Sequence, residues 1–289
     1  MKTRIVVLFT TLFLFASPGH ATEIQAAEYK LAIQPILPQQ ELINNYQPLA
    51  DYLSQATGHK ITISTQRNFI FYWHKMRKGS KGFDLVLDAA HFTDYRTQNL
   101  GYTVLAKLPD TVSFSIVTKD DSFYLDIDEL TSKRIATMPS PSLGAVRLEE
   151  LFPNPVRIPN YVWELNTSEA VKSVLSGKVD AAIIPTRLAS TYDNLNIVMT
   201  TEPVPHMAIS ASPDVPQRVA ENIRQALIIA NTTAHGKKML SKLKMAKFEK
   251  ADNETYAGYG KLLKDVYGYK SAMKSTKSSG TGDLVADVN

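Results

Sequence analysis

The stretch from Arg134 to Phe152 reads RIATMPSPSLGAVRLEELF. Arg134 to Met138 has the apolar character of a short buried strand, and Pro139 and Pro141 end it. Ala145, Leu148, Leu151 and Phe152 then recur at helical spacing. The order is strand, loop, helix. The loop, Pro139 to Gly144, holds Ser140, Ser142, Leu143 and Gly144 at the start of the helix. Hydroxyls and free N–H groups at a helix start converge on one point that the helix dipole makes favourable for negative charge, which is an anion-binding geometry. The competing reading is that Ser140 or Ser142 caps its own helix.

Working outward, Tyr29 to Pro35 alternates as a strand, and Tyr46, Leu49, Ala50 and Leu53 share a helix face that ends at Gly58. Lys60 to Thr65 is a second strand. Asn68 caps a helix through Phe69, Tyr72, Trp73 and Met76, and Phe83 to Asp88 is a third strand. Strands alternating with helices at this spacing predict parallel α/β units. Gly82-Phe-Asp84 before Leu85-Val-Leu87 is echoed by Gly177-Lys-Val-Asp180 before Ala181 to Ile184, so the chain is expected to contain two similar α/β lobes. Thr111 to Thr118 and Val204 to Ala211 alternate like strands between the lobes and are candidate hinges. A stripe at Val219, Ile223, Ala226, Leu227 and Ala230, then Met239 and Leu240, then Tyr256, Tyr259, Leu263 and Val266, predicts late helices that return to the first lobe. The expected organisation is 22–112 for the first part of lobe 1, 113–206 for lobe 2, 207–270 for the return, and a disordered tail at 271–289, which has too little apolar surface to fold.

Residues 1–21 have a basic start, an apolar run from Ile5 to Phe15 that is too short to span a bilayer, and small residues at Gly19 and Ala21, the pattern of a secretory signal peptide. With no Cys anywhere, neither a lipid anchor nor a disulfide nor a thiolate metal site is available. The expected location is the periplasm, free of a lipid anchor. Removing Lys2 and Arg4 lowers the net charge from +4 to +2, and the Lys-rich segments near 237–250 and 261–274 are interleaved with apolar residues, so no nucleic-acid partner is implied. The His residues lack metal-binding spacing, and no nucleophile elbow or assignable His–acid pair accompanies any Ser, so neither a metal, a cofactor nor an enzyme activity is expected.

Gln39 and Arg67 follow the first two strands and His91 follows the third, where open α/β sheets bind ligands. Arg67 suits bidentate oxyanion recognition, but for all three a structural or surface role is the competing reading. Thr167 stands where helix capping and ligand binding compete, and Thr186 and Arg187 follow the last strand of the second lobe. Tyr161 and Trp163 are candidates for a cleft wall, with core packing as the competing reading.

Over roughly 29–267 the chain resembles the phosphate/phosphite/phosphonate-binding family of periplasmic solute receptors. The carriers are Tyr46-Gln-Pro-Leu-Ala-Asp-Tyr-Leu53 with Gly58, Gly82-x-Asp84, Pro139-Ser-Pro-Ser-Leu-Gly144, Val174-Leu-Ser-Gly-Lys-Val-Asp-Ala181 and Gly236-Lys-Lys-Met-Leu240. The resemblance implies a type II periplasmic binding protein: two lobes, each a mixed, mostly parallel sheet flanked by helices, joined by two hinge strands and closing on a small anion. It places the family's anion loop on Ser140, Pro141 and Ser142, with Pro141 where the family has a hydroxyl. Thr167 replaces a His of the family pattern, and Asp88 to His91 replaces a Gly-Pro-rich turn. A carboxylate such as Asp88 near the cleft repels a dianion unless Arg67 or His91 offsets it. The implied function is capture of a phosphate- or phosphonate-like oxyanion for a membrane ABC permease. The alternative partner is the periplasmic domain of a membrane kinase or cyclase. A monomer is expected in either case.

Overall fold

The computed structural model describes residues 26–79 and 83–271. The signal-peptide reading and almost all of the tail reading therefore lie outside the described residues.

In chain order, strand β1 (Glu28–Ile33) leads into helix α1 (Gln39–Thr57), β2 (Lys60–Ser64), α2 (Phe69–Met76), β3 (Leu85–Asp88), α3 (Ala90–Leu100) and β4 (Thr103–Lys107). A short β5 (Thr111–Val112) precedes β6 (Phe114–Lys119), β7 (Arg134–Thr137), α4 (Leu143–Leu151), β8 (Asn160–Trp163), α5 (Thr167–Leu175) and β9 (Ala181–Pro185). The turn α6 (Thr186–Ala189), then β10 (Leu195–Thr200), β11 (Val204–Pro205) and β12 (Ala208–Ala211) follow, and the chain returns through α7 (Gln217–Ile229) and α8 (Ala234–Lys242).

Two five-stranded sheets result, ordered β2-β1-β3-β12-β4 and β10-β6-β9-β7-β8. In the first, β1 runs parallel to both β2 and β3, while β12 is antiparallel to its neighbours β3 and β4. In the second, β7 is parallel to β8 and β9, and β6 is antiparallel to β9 and β10. Each expected hinge strand is divided. Residues 111–112 and 204–205 pair with each other in a two-stranded antiparallel ribbon, Val204 opposite Val112, whereas 114–119 enter the second sheet and 208–211 the first. The ribbon is thus where the chain crosses between lobes.

Local chemistry accounts for most boundaries. The Asn68 side chain accepts from Phe71 N–H at 3.1 Å and starts α2. Gly58, at φ +71°, closes α1 in the left-handed conformation that glycine adopts without steric cost. The central strands are buried on both faces, as in β3, where all four residues are covered, so their sequences read as continuous apolar runs. Helix α1 begins at Gln39, directly after Pro38. One sequence expectation is corrected. The stripe from Tyr256 to Val266 is not an α-helix but two 3₁₀ turns at Glu254–Tyr256 and Tyr259–Leu263. No helix among the described residues is long and apolar enough to cross a membrane.

Candidate functional site

The carboxyl ends of β1, β3, β7 and β9 face one another across the ribbon, and a cleft of about 350 Å³ lies between them. From the first lobe it is lined by Gln34, Ile36 and Leu37 after β1, by Phe69 and Ala89 at helix starts, and by Met207 before β12. The second lobe contributes Met138 after β7, Leu143 and Gly144 in the first turn of α4, Asn166, Thr167 and Ser168 at the start of α5, and Leu188 on α6. Val112 and Phe114 close the side where the chain crosses.

Two helix N-termini therefore open on one cleft. Ser142 caps α4: its hydroxyl accepts from Ala145 N–H at 3.2 Å and donates to Met138 C=O at 3.1 Å. Asn166 caps α5 by accepting from Glu169 N–H at 3.0 Å. The N–H groups of Leu143, Gly144, Thr167 and Ser168 have no hydrogen-bond partner among the described residues. These are the orphan donors of a helix first turn, and the dipoles of α4 and α5 reinforce them towards negative charge.

Among the sequence-predicted residues, Leu143, Gly144 and Thr167 meet in this cleft. Ser142 lies beneath it, fully buried and engaged as a cap. Ser140 does not face it. Ser140 lines a separate groove of about 860 Å³ with Trp73, Arg77, Glu149 and Tyr161; burial raises the Glu149 pKa above the ordinary carboxylate value, and the nearby Ser140 hydroxyl opposes that. The Ser140–Pro141–Ser142 backbone thus sends the two Ser hydroxyls to different sides. Thr186 lines an outer chamber of about 1000 Å³ that shares Leu37, Val112, Pro185, Leu188 and His206 with the cleft, and Arg187, Lys242 and Lys244 also line that chamber. The Thr186 hydroxyl is engaged with those of Ser113 and Ser115, each at 2.9 Å. Gln39 and Arg67 lie on the exposed surface, the Arg67 guanidinium stacked 4.1 Å from the centre of the Phe71 ring. Trp163, on the edge strand β8, is half exposed and belongs neither to the core nor to the cleft.

His91 sits between the lobes. Its Nε2 donates to the Pro141 carbonyl at 2.9 Å, which joins α3 of the first lobe to the loop before α4 in the second. The ring is fully buried, and burial lowers its pKa to about 4, with the Arg147 charge pulling the same way and the Pro141 bond opposing, so the ring is neutral at pH 7. Asp88 is offset neither by Arg67 nor by His91. Its carboxylate is fully buried against Arg96 at 2.8 Å and accepts from the Tyr72 hydroxyl at 2.8 Å.

The model of the family described as ABC transporter, phosphonate, periplasmic substrate-binding protein matches residues 31–256. The chain belongs to that family. Members are periplasmic substrate-binding components, and the two-lobe α/β fold follows theirs. PhnD1 from Prochlorococcus marinus, solved with methylphosphonate, is similar at a TM-score of 0.69 and 15% identity, covering 82% of this chain and 97% of that one. A protein from Xanthomonas citri solved with ATP gives a TM-score of 0.68 at 14% identity, covering 83% and 100%. A binding-protein component of an ABC phosphonate transporter from Pseudomonas aeruginosa gives 0.67 at 14%, covering 80% and 83%. No curated protein matches the chain by sequence.

The residues that sequence reasoning missed are the apolar walls. Ile36, Leu37, Phe69, Phe114, Met138, Leu188 and Met207 come from separate segments, and each alone reads as ordinary core. Phe69 carries the one usable signal, since it directly follows the helix cap Asn68 at the end of a strand-to-helix loop.

Proposed function

We propose that this chain is a periplasmic receptor that captures a phosphonate-like oxyanion between its lobes and delivers it to an ABC permease. The observation that carries the reading is the convergence of the α4 and α5 first turns, with the free N–H groups of Leu143, Gly144, Thr167 and Ser168, on a cleft that both lobes enclose. Such donors bind an oxyanion without a counter-cation. Closure of one lobe on the other removes water from the cleft and strengthens each of these bonds. Export through the leader at residues 1–21 and action as a monomer complete the reading. Thermal unfolding with phosphate, phosphite, methylphosphonate and larger phosphonates tests it. A ligand that binds only the folded state at a hundred times its Kd stabilises by about 2.7 kcal/mol, and the absence of a melting shift with every anion sinks the proposal.

A further inference from the structure

The cleft is unusual for a site that holds a small hydrated anion. No Lys or Arg lines it, and the buried guanidinium nearest in sequence to the β3 end, Arg96, is held by Asp88. Apart from the two helix starts, Gln34 and His206, the walls are apolar and come from both lobes, Ile36 and Phe69 from the first, Met138 and Leu188 from the second, with Phe114 at the side. The polar side chain deepest in the first-lobe wall, Gln34, is already spent: its Oε1 accepts from Ala89 N–H at 3.0 Å and its amide contacts the Met207 sulfur at 2.9 Å. The cationic side chains Arg187, Lys242 and Lys244 stand in the outer chamber, where they attract anions without lining the inner one. A volume of about 350 Å³ falls in the range, about 300–1,000 Å³, of sites that enclose an organic ligand rather than a bare ion.

We infer that the ligand is an oxyanion carrying an apolar substituent of several carbons, its head at the first turns of α4 and α5 and its body against the Ile36, Phe69, Phe114, Met138 and Leu188 walls. This rests on the receptor reading above and narrows its ligand class. A small phosphonate leaves those walls facing trapped water. An alkyl or aryl substituent displaces that water and gains the burial energy of its carbons.

The test is calorimetric titration of the whole protein with methyl-, propyl-, butyl- and phenylphosphonate, with 1-butanol as the uncharged control. Burial of one methylene corresponds to about fourfold in affinity, so butylphosphonate, with three more methylenes, is expected to bind about sixtyfold more tightly than methylphosphonate. Leu188→Asn, at a half-buried position on the cleft wall, is expected to flatten that slope. Methylphosphonate binding with no gain, or a loss, on chain extension overturns the inference and leaves the receptor reading standing. Butanol binding without any phosphonate binding overturns the oxyanion reading and the inference with it, and so does binding of none of the probes.

Discussion

The Arg96 guanidinium and the Asp88 carboxylate meet at 2.8 Å with both side chains fully buried, just behind the first-lobe wall of the cleft. The Tyr72 hydroxyl donates to the same carboxylate and accepts from Arg96 Nη2 at 3.1 Å, and the guanidinium packs near the Phe83 and Tyr102 rings. Burial raises the Tyr72 hydroxyl well above its ordinary pKa, the Asp88 charge adds to that, and Arg96 opposes it. A buried pair of this kind adds little net stability, but removing one partner strands the other. Arg96→Met is expected to cost about 3–5 kcal/mol in urea unfolding, and Arg96→Met with Asp88→Asn less than the sum of the two single changes. An additive double variant excludes the coupling.

His91 makes stability depend on pH. Its folded pKa of about 4 lies below the ordinary value of 6.5, so between those values the unfolded chain binds a proton that the folded protein does not. Stability attributable to this ring is present above pH 6.5 and is lost as pH falls towards 4, by on the order of 3 kcal/mol in total. His91→Gln should flatten the difference in urea midpoint between pH 7 and pH 5 relative to the parent. An unchanged difference assigns the slope to other groups.

The contrast between what the chain announces and what it conceals follows from the range of each signal. Cap chemistry is local, so Asn68 marks α2 and Gly58 ends α1 as their side chains dictate. Strand β10 shows no clean alternation of burial, because it is an exposed edge strand, and the period-two pattern that betrays a half-buried strand is absent. The spacings Tyr256 to Tyr259 and Leu263 to Val266 do not separate an α-helix from a 3₁₀ turn, since residues three apart share a face in both. At the site, the helix start at Leu143 is legible from its Ser, Pro and Gly. The direction of the two Ser hydroxyls depends on the backbone of a three-residue loop, and the apolar walls exist only once distant segments are brought together.

Ser142 and Ser140 separate capping from binding. Loss of the Ser142 hydroxyl removes the α4 cap, so Ser142→Ala should lower stability by about 1 kcal/mol while phosphonate affinity falls by no more than about twofold. Ser140→Ala, facing the other groove, should leave affinity unchanged. Calorimetry and urea unfolding on the same samples decide the matter. A tenfold loss of affinity in either variant returns that hydroxyl to the ligand.

Gly144 joins the packing of α4 to the shape of the cleft. A Cβ at this position meets the edge of the Phe114 ring at 3.2 and 3.3 Å and Ile183 Cγ2 at 3.8 Å, so the ring must shift by a few tenths of an ångström. Phe114 is nearly buried and lines the cleft. Replacing a helical Gly with Ala favours the helix by about 1 kcal/mol, which offsets the crowding. The Gly144 N–H remains in place as a donor. Gly144→Ala is therefore expected to change folding stability by less than about 1 kcal/mol while weakening phosphonate binding by roughly 1 kcal/mol, or about fivefold, as the displaced ring narrows the chamber. Wild-type affinity in a stably folded Gly144→Ala protein removes Phe114 from the ligand wall, and a loss confined to stability shows that the ring cannot move.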